Sequence, residues 1–153
     1  MLERMEMMKP VGIILDQCLN LKVGEQFLVL ADTENLRIGQ MFALAGQERG
    51  AETIFLTYSP RTRHGEELPG IIADAMKAAD AIVAPTAFSV NHTSARKRAS
   101  DAGARLIFFP GCKEEMFLDG CLDIDFPRQA KIIADLSEIL EQGEHVHIAT
   151  DDG

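Results

Sequence analysis

Residues 81–98 read AIVAPTAFSVNHTSARKR, and this stretch decides the fold. Ala81 to Ala84 is a short apolar run with no polar alternation, the pattern of a strand buried on both faces. Pro85 ends the run. Polar Thr86, Ser89, Asn91 and His92 follow, and then a helix that carries Arg96, Lys97 and Arg98. A buried strand leading through a polar turn into a helix is half of a β-α-β unit. In an open sheet built of such units, ligands bind beyond the carboxyl ends of the strands. The stretch therefore predicts a crevice with hydroxyls, an imidazole and positive charge at its edge.

Outward from this stretch the same alternation repeats. Val11, Ile14, Leu15, Cys18 and Leu19 share one helical face, with Pro10 in the first turn or at a kink if the helix reaches back to Leu2. Phe27 to Ala31 is a buried-strand run, followed by a helix through Ile38, Met41, Phe42 and Ala45 that Gly50 closes. Thr53 to Thr57 predicts a second strand. Leu68, Ile71, Ile72, Ala75, Met76 and Ala79 form a helical stripe before the third strand at Ala81. Ala95, Ala99 and Ala102 give the next helix a small-residue face. Arg105 to Phe109 is a fourth strand, a short element spans Glu114 to Leu118, and a longer helix covers about Phe126 to Gln142 with Ala130, Ile133, Leu136 and Leu140 inward. His145 to Ala149 predicts a fifth strand. Strict alternation implies an α/β, Rossmann-like three-layer sandwich with a mostly parallel five-stranded sheet.

Composition bounds the function. The chain has 153 residues, enough for one domain, is 46% hydrophobic and 25% charged, and carries a net charge of −9. That charge speaks against nonspecific nucleic-acid binding, which needs a basic footprint. No apolar run approaches the roughly 18 residues of a membrane span. The N-terminus MLERMEMMK lacks an apolar signal core, and the expected location is cytoplasmic. Cys18, Cys112 and Cys121 are odd in number and unrelated in spacing, which fits reduced thiols better than disulfides or zinc.

Chemistry-bearing residues collect at strand ends. Asp32, Thr33 and Glu34 end the first strand without a Gly-x-Gly-x-x-Gly, so dinucleotide binding of the usual kind is disfavoured, and helix capping is the plainer reading. Arg61, Arg63 and His64, in SPRTRHGEE, can grip a carboxylate or phosphate, or form a solvated loop paired with Glu66 and Glu67. Thr86, Ser89, His92 and Arg96 belong to the opening stretch. Their alternatives are hydrogen bonding into the crevice, a Ser89–His92 nucleophile pair without an acid partner, or a helix cap at Asn91 or His92. Cys112 lies near a helix start but lacks a histidine partner. His145 and His147, two apart in a strand, would share a face and offer two metal ligands, but no third is evident.

The segments CLNLKVGEQFLVLADTE, ERGAETIFLTYSPRTRHGEELP, AMKAADAIVAPTAFSVNHTSARKRASDAGARLIFFPG and HVHIATDDG together resemble the N-terminal domain of the leucyl aminopeptidase family typified by aminopeptidase T. The resemblance spans nearly the whole chain and rests on order and spacing. It implies that residues 1–150 form a noncatalytic N-terminal domain and that residues 151–153 begin a linker to a C-terminal catalytic domain. It also implies a divalent metal held in that other domain, none in this segment, and a homodimer; the charge and the lack of a long apolar run speak against nucleic-acid and membrane partners. A related branch contains iron-dependent dihydroxypyridine dioxygenases, and a stand-alone small-anion-binding module is the reading outside the family. On the family reading Arg61, Arg63, His64, Thr86, Ser89, His92 and Arg96 line a substrate or interdomain crevice, and no residue here is catalytic.

Overall fold

A computed structural model describes residues 2–151; Asp152 and Gly153, in the expected linker, lie outside the described residues. The element order is α1 (Leu2–Ile13), a π-helical turn (Ile14–Cys18), β1 (Gln26–Asp32), α2 (Leu36–Glu48), β2 (Glu52–Tyr58), α3 (Gly70–Ala78), β3 (Ala81–Thr86), α4 (Ser94–Asp101), β4 (Arg105–Pro110), α5 (Glu115–Leu118) and α6 (Phe126–Gln142). All four strands are parallel, in the order β2-β1-β3-β4. Helices cover both faces. α1, α2 and α5 pack on the side of Phe27, Val29, Ala81 and Val83, and α3 and α4 on the side of Leu28, Leu30, Ile82 and Ala84. Central β1 and β3 are almost wholly buried, which is why their sequences are uninterrupted apolar runs. Among the described residues no helix is long and apolar enough to cross a membrane.

Of the two readings of Pro10 the second holds: α1 reaches back to Leu2 with Pro10 inside it, and it continues as a π turn in which the Leu19 amide donates to the Ile14 carbonyl at 2.9 Å. One local expectation changes. The cap of α4 is neither Asn91 nor His92. Thr93 Oγ1 accepts from the Arg96 amide at 3.2 Å.

The larger correction concerns the fifth strand, because the sheet has four strands. His145–Ala149 is irregular, with Val146 69% and Ile148 84% exposed. The reason lies one element earlier. α6 does not cross over β4. It starts against the π turn, where the Phe126 amide donates to Gln17 Oε1 at 3.2 Å, and it buries no residue on the sheet. Leu136 is 54% and Leu140 62% exposed, and the expected inward Ala130 and Ile133 also face solvent. With no crossover helix to carry it back, His145–Ala149 does not reach the edge strands β2 or β4, and a strand without a ladder is not stable alone.

Close packing of α2 on the sheet rests on Gly46. A Cβ there would stand 2.5 Å from Phe27 Cδ1, 2.6 Å from Cε1 and 2.8 Å from Thr53 Oγ1. Phe27 is fully buried and has nowhere to move. The helix-propensity gain of Gly46→Ala, about 1 kcal/mol, is therefore outweighed by overpacking of about 1–3 kcal/mol and the shift it forces on α2. Urea denaturation is expected to show Gly46→Ala less stable than the unsubstituted chain.

Candidate functional site

Parallel strands send all their C-terminal loops to one edge of the sheet. The order β2-β1-β3-β4 makes β1 and β3 diverge, one chain leaving toward β2 and the other toward β4, so a crevice opens between their ends. A cleft of about 430 Å³ lies there. Its walls come from three loops and include Asn35 and Arg37 after β1, Phe88 after β3, and Cys112, Lys113 and Glu114 after β4.

The three loops are joined by a buried carboxylate. Asp32, 1% exposed, ends β1. Its Oδ1 accepts from Asn35 Nδ2 at 2.9 Å, and its Oδ2 accepts from the Ala87 amide at 2.6 Å. Asn35 Oδ1 in turn accepts from Cys112 Sγ at 3.4 Å. Around this clamp, Thr86 Oγ1 donates to the Phe88 carbonyl at 2.8 Å and the Gly111 amide to the Thr86 carbonyl at 2.7 Å. Gly111 adopts φ 66°, a backbone state that suits glycine. At the mouth, Arg37 Nη1 meets Glu114 Oε2 at 2.6 Å.

Sequence reasoning passed over this cleft. It gave Asp32 and Glu34 to helix capping, whereas the carboxylate of Asp32 bonds across to another loop. The available signal was a carboxylate closing an apolar run buried on both faces, a place where a charge persists only if it is hydrogen-bonded.

The residues singled out in advance divide into two groups. β1 separates β2 from β3, yet the loops after β2 and β3 still meet. The Ser89 amide donates to His64 Nδ1 at 3.0 Å, the Gly65 amide to the Ser89 carbonyl at 2.8 Å, and the His64 ring stands edge-on to Phe88 at 5.3 Å. Arg61 lies within 3.5 Å of Glu66 and 5.7 Å above the Tyr58 ring. Arg63 is exposed beside them. Thr86 is buried beneath and shapes its own turn. His92 and Arg96 line a depression at the start of α4. The imidazole beside Ser89 is His64, bonded to the backbone amide, while Ser89 Oγ accepts from the Asn91 amide at 3.3 Å. This arrangement offers no base to the Ser89 hydroxyl. Glu66 is held below the usual carboxylate range chiefly by the Thr62 amide and hydroxyl, and Glu67 by the Ser94 amide. These acids organise the loop that carries the arginines.

Burial, reinforced by the Asp32 charge and opposed by backbone N–H groups, pushes the Cys112 thiol up to about 11. Burial, with Asp32 second and Arg61 opposing, pushes the Tyr58 phenol up to about 12. A neutral Cys112 is a poor nucleophile at physiological pH. Among the described residues no group of three or more His, Cys, Asp or Glu could hold a metal ion. His145 and His147 lie on the irregular segment and do not share a strand face.

No protein-family model matches the chain, and no curated protein matches it by sequence. Solved structures do. A 2,5-dihydroxypyridine dioxygenase from Pseudomonas putida KT2440 matches at TM-score 0.60 and 14% identity, over 74% of this chain and 36% of that one. Wild-type AmpT from Thermus thermophilus, an aminopeptidase T, matches at TM-score 0.47 and 16% identity, over 75% of this chain and 41% of that one. The likeness is a distant one of fold. The chain spans well under half the length of either protein.

Two outcomes follow from the clamp. Asp32→Ala leaves the Ala87 amide and the Asn35 side chain without their acceptor, at about 1–3 kcal/mol for each buried group, so its denaturation midpoint should fall sharply. Alkaline titration tests Cys112. Below its ordinary value of 9.0 the thiol is protonated in both folded and unfolded chains. Between 9.0 and about 11 only the unfolded chain releases the proton, so stability falls as pH rises. Thermal unfolding across that range should show the fall, and Cys112→Ala should reduce it, leaving the part that Tyr58 contributes above its ordinary value of 10.0.

Proposed function

We propose that this chain is the noncatalytic, Rossmann-like domain of a divalent-metal-dependent exopeptidase of the aminopeptidase T type. Its partner is then a C-terminal catalytic domain of the same polypeptide, which would hold the metal, and the whole protein would be a cytoplasmic homodimer. The observation that carries this reading is α6. Ile133, Leu136, Ile139 and Leu140 leave 60%, 54%, 67% and 62% of their surface in water, and Val146 and Ile148 continue the exposed apolar run. Fully burying a Leu or Ile gains about 1.5–3 kcal/mol, so this stripe favours a covering surface that the Rossmann-like unit does not provide. Arg61, Arg63, His64, Thr86, Ser89, His92 and Arg96 then border the substrate or the facing domain from the C-terminal edge of the sheet.

An iron-dependent dioxygenase role is the second reading. The fold likeness to the P. putida enzyme favours keeping it.

The test is to read the gene beyond Gly153, purify the protein it encodes, load it with zinc, cobalt, manganese or iron, and assay leucyl-p-nitroanilide cleavage and 2,5-dihydroxypyridine consumption. The 153-residue chain alone should do neither. Leucyl-p-nitroanilide cleavage by that chain would overturn the assignment, and turnover of the pyridine by the longer protein would move it to the second branch. Leu136→Asp should change the stability of the isolated chain by no more than about 0.5 kcal/mol, as for an ordinary surface site, and should lower the stability of the longer protein.

A further inference from the structure

The order β2-β1-β3-β4 leaves β2 at one edge of the sheet. The Glu52 amide donates to the Glu25 carbonyl at 2.9 Å, and the Tyr58 carbonyl accepts from the Thr33 amide at 3.0 Å. Successive residues of a strand turn their main-chain groups to opposite sides, so Ile54 and Leu56 also point to β1. The N–H and C=O groups of Thr53, Phe55 and Thr57 therefore face outward. An open row of this kind is a template for another strand, and proteins blunt it with Lys, Pro or a bulge. The other edge, β4, starts at Arg105 and ends at Pro110. β2 contains no Lys, Arg or Pro, and its register with β1 runs over all 7 residues without a bulge.

The flanks of this edge are uncharged. A groove of about 330 Å³ runs between α2 and β2, lined by Gln40, Met41, Ala43, Leu44, Gln47 and Phe55. Leu44 on this flank and Ile54 on the other face of the sheet are each half exposed. The chain carries a net charge of −9, so a second copy is repelled over much of its surface and approaches best where charge is absent. The outward residues are also symmetric about Phe55. Antiparallel pairing of β2 with β2 of a second copy sets Phe55 opposite Phe55 and Thr53 opposite Thr57, each pair exchanging both main-chain bonds. The side chains match as well, aromatic on aromatic and Thr on Thr on the α2 face, and Ile54 on Leu56 on the other. Glu52, the one charged residue of the strand, falls opposite Tyr58. The two copies of Glu52 then stand roughly 20 Å apart, well beyond the screening length of about 8 Å.

We propose that the β2 edge is the interface between two copies of this chain, which pair β2 to β2, antiparallel about Phe55, and join their two four-stranded sheets into one. The inference takes up the homodimer of the reading above but rests on the edge strand of this chain. A longer protein that cleaves leucyl-p-nitroanilide while the present chain stays monomeric would sink the interface and leave the two-domain reading standing. A β2-paired dimer whose longer form shows no such cleavage would do the reverse.

Sedimentation equilibrium and amide hydrogen exchange followed by NMR, both on the 153-residue chain, test it. At about 100 μM the mass should approach twice the 16.8 kDa of one chain. The outward amides of Thr53, Phe55 and Thr57 should gain protection as concentration rises, while those of Ile54 and Leu56 are protected throughout. Thr57→Pro removes an outward N–H and spares the ladder to β1, and Ile54→Lys puts a charge on the edge. Each should weaken the dimer by at least about tenfold, with circular dichroism showing an intact fold. Leu136→Asp on α6 and Val146→Asp near the C-terminus should leave the dimer unchanged. A monomer at about 100 μM would overturn the proposal, as would protection of Thr53, Phe55 and Thr57 that ignores concentration. So would a dimer that the folded Thr57→Pro and Ile54→Lys variants leave intact. A dimer dissolved by Leu136→Asp or Val146→Asp would give the association to α6 or to the His145–Ala149 segment and overturn it too.

Discussion

A carboxylate buried at the end of a central strand is the constraint on which the functional edge of this protein depends. Asp32 is 1% exposed and accepts from an amide of the loop after β3 and from the side chain of Asn35 in its own loop. Burying an ionised carboxyl is costly unless its oxygens are satisfied, so the charge dictates where those donors must sit. Asn35 then passes the constraint to Cys112 after β4. One charge thus aligns loops that are 55 and 77 residues from their partners in the chain. Burial, with that charge second, keeps Cys112 and Tyr58 from ionising.

The two faces of the sheet solve the packing problem differently. On one face, Gly46 lets α2 settle directly on Phe27, and Phe42, Phe109 and Phe117 close the layer with ring centroids about 6 Å apart. On the other, α4 uses Ala95 and Ala99 to sit close, and Ile72, Met76 and Val90 fill the remaining space. Both faces are complete without α6. The exposed stripe on α6 is therefore a surface in excess of what this fold needs, and the two-domain reading uses it as an interface.

The basic loops show how local partners order charged side chains. Arg61 has a carboxylate neighbour in Glu66 and an aromatic face in Tyr58, both within its own loop and strand. Glu67 is engaged with the start of α4. Local partners reach a long side chain before a ligand does, since holding them costs little chain entropy. The cleft at the β1–β3 divergence has fewer charges in sequence, but they come from loops far apart in the chain, and the fold holds them around an open space.

The sequence by itself determined the alternation of four strands and their helices, the burial of β1 and β3, and the gathering of polar residues at one edge. Each follows from local periodicity, because a residue's neighbours at two or at three and four positions decide which face is apolar. It also identified α6 as a helix over about Phe126 to Gln142 from the spacing of Ala130, Ile133, Leu136 and Leu140, which matches the observed range. Tertiary structure alone decided what α6 faces and whether His145–Ala149 becomes a strand. An apolar stripe states a need for burial, and an alternating segment states a capacity to pair, but neither specifies the surface that will answer it. The site followed the same division. That ligands belong at the strand ends was legible, but the order β2-β1-β3-β4 located the crevice, and strand order is a matter of long-range pairing that no local pattern encodes.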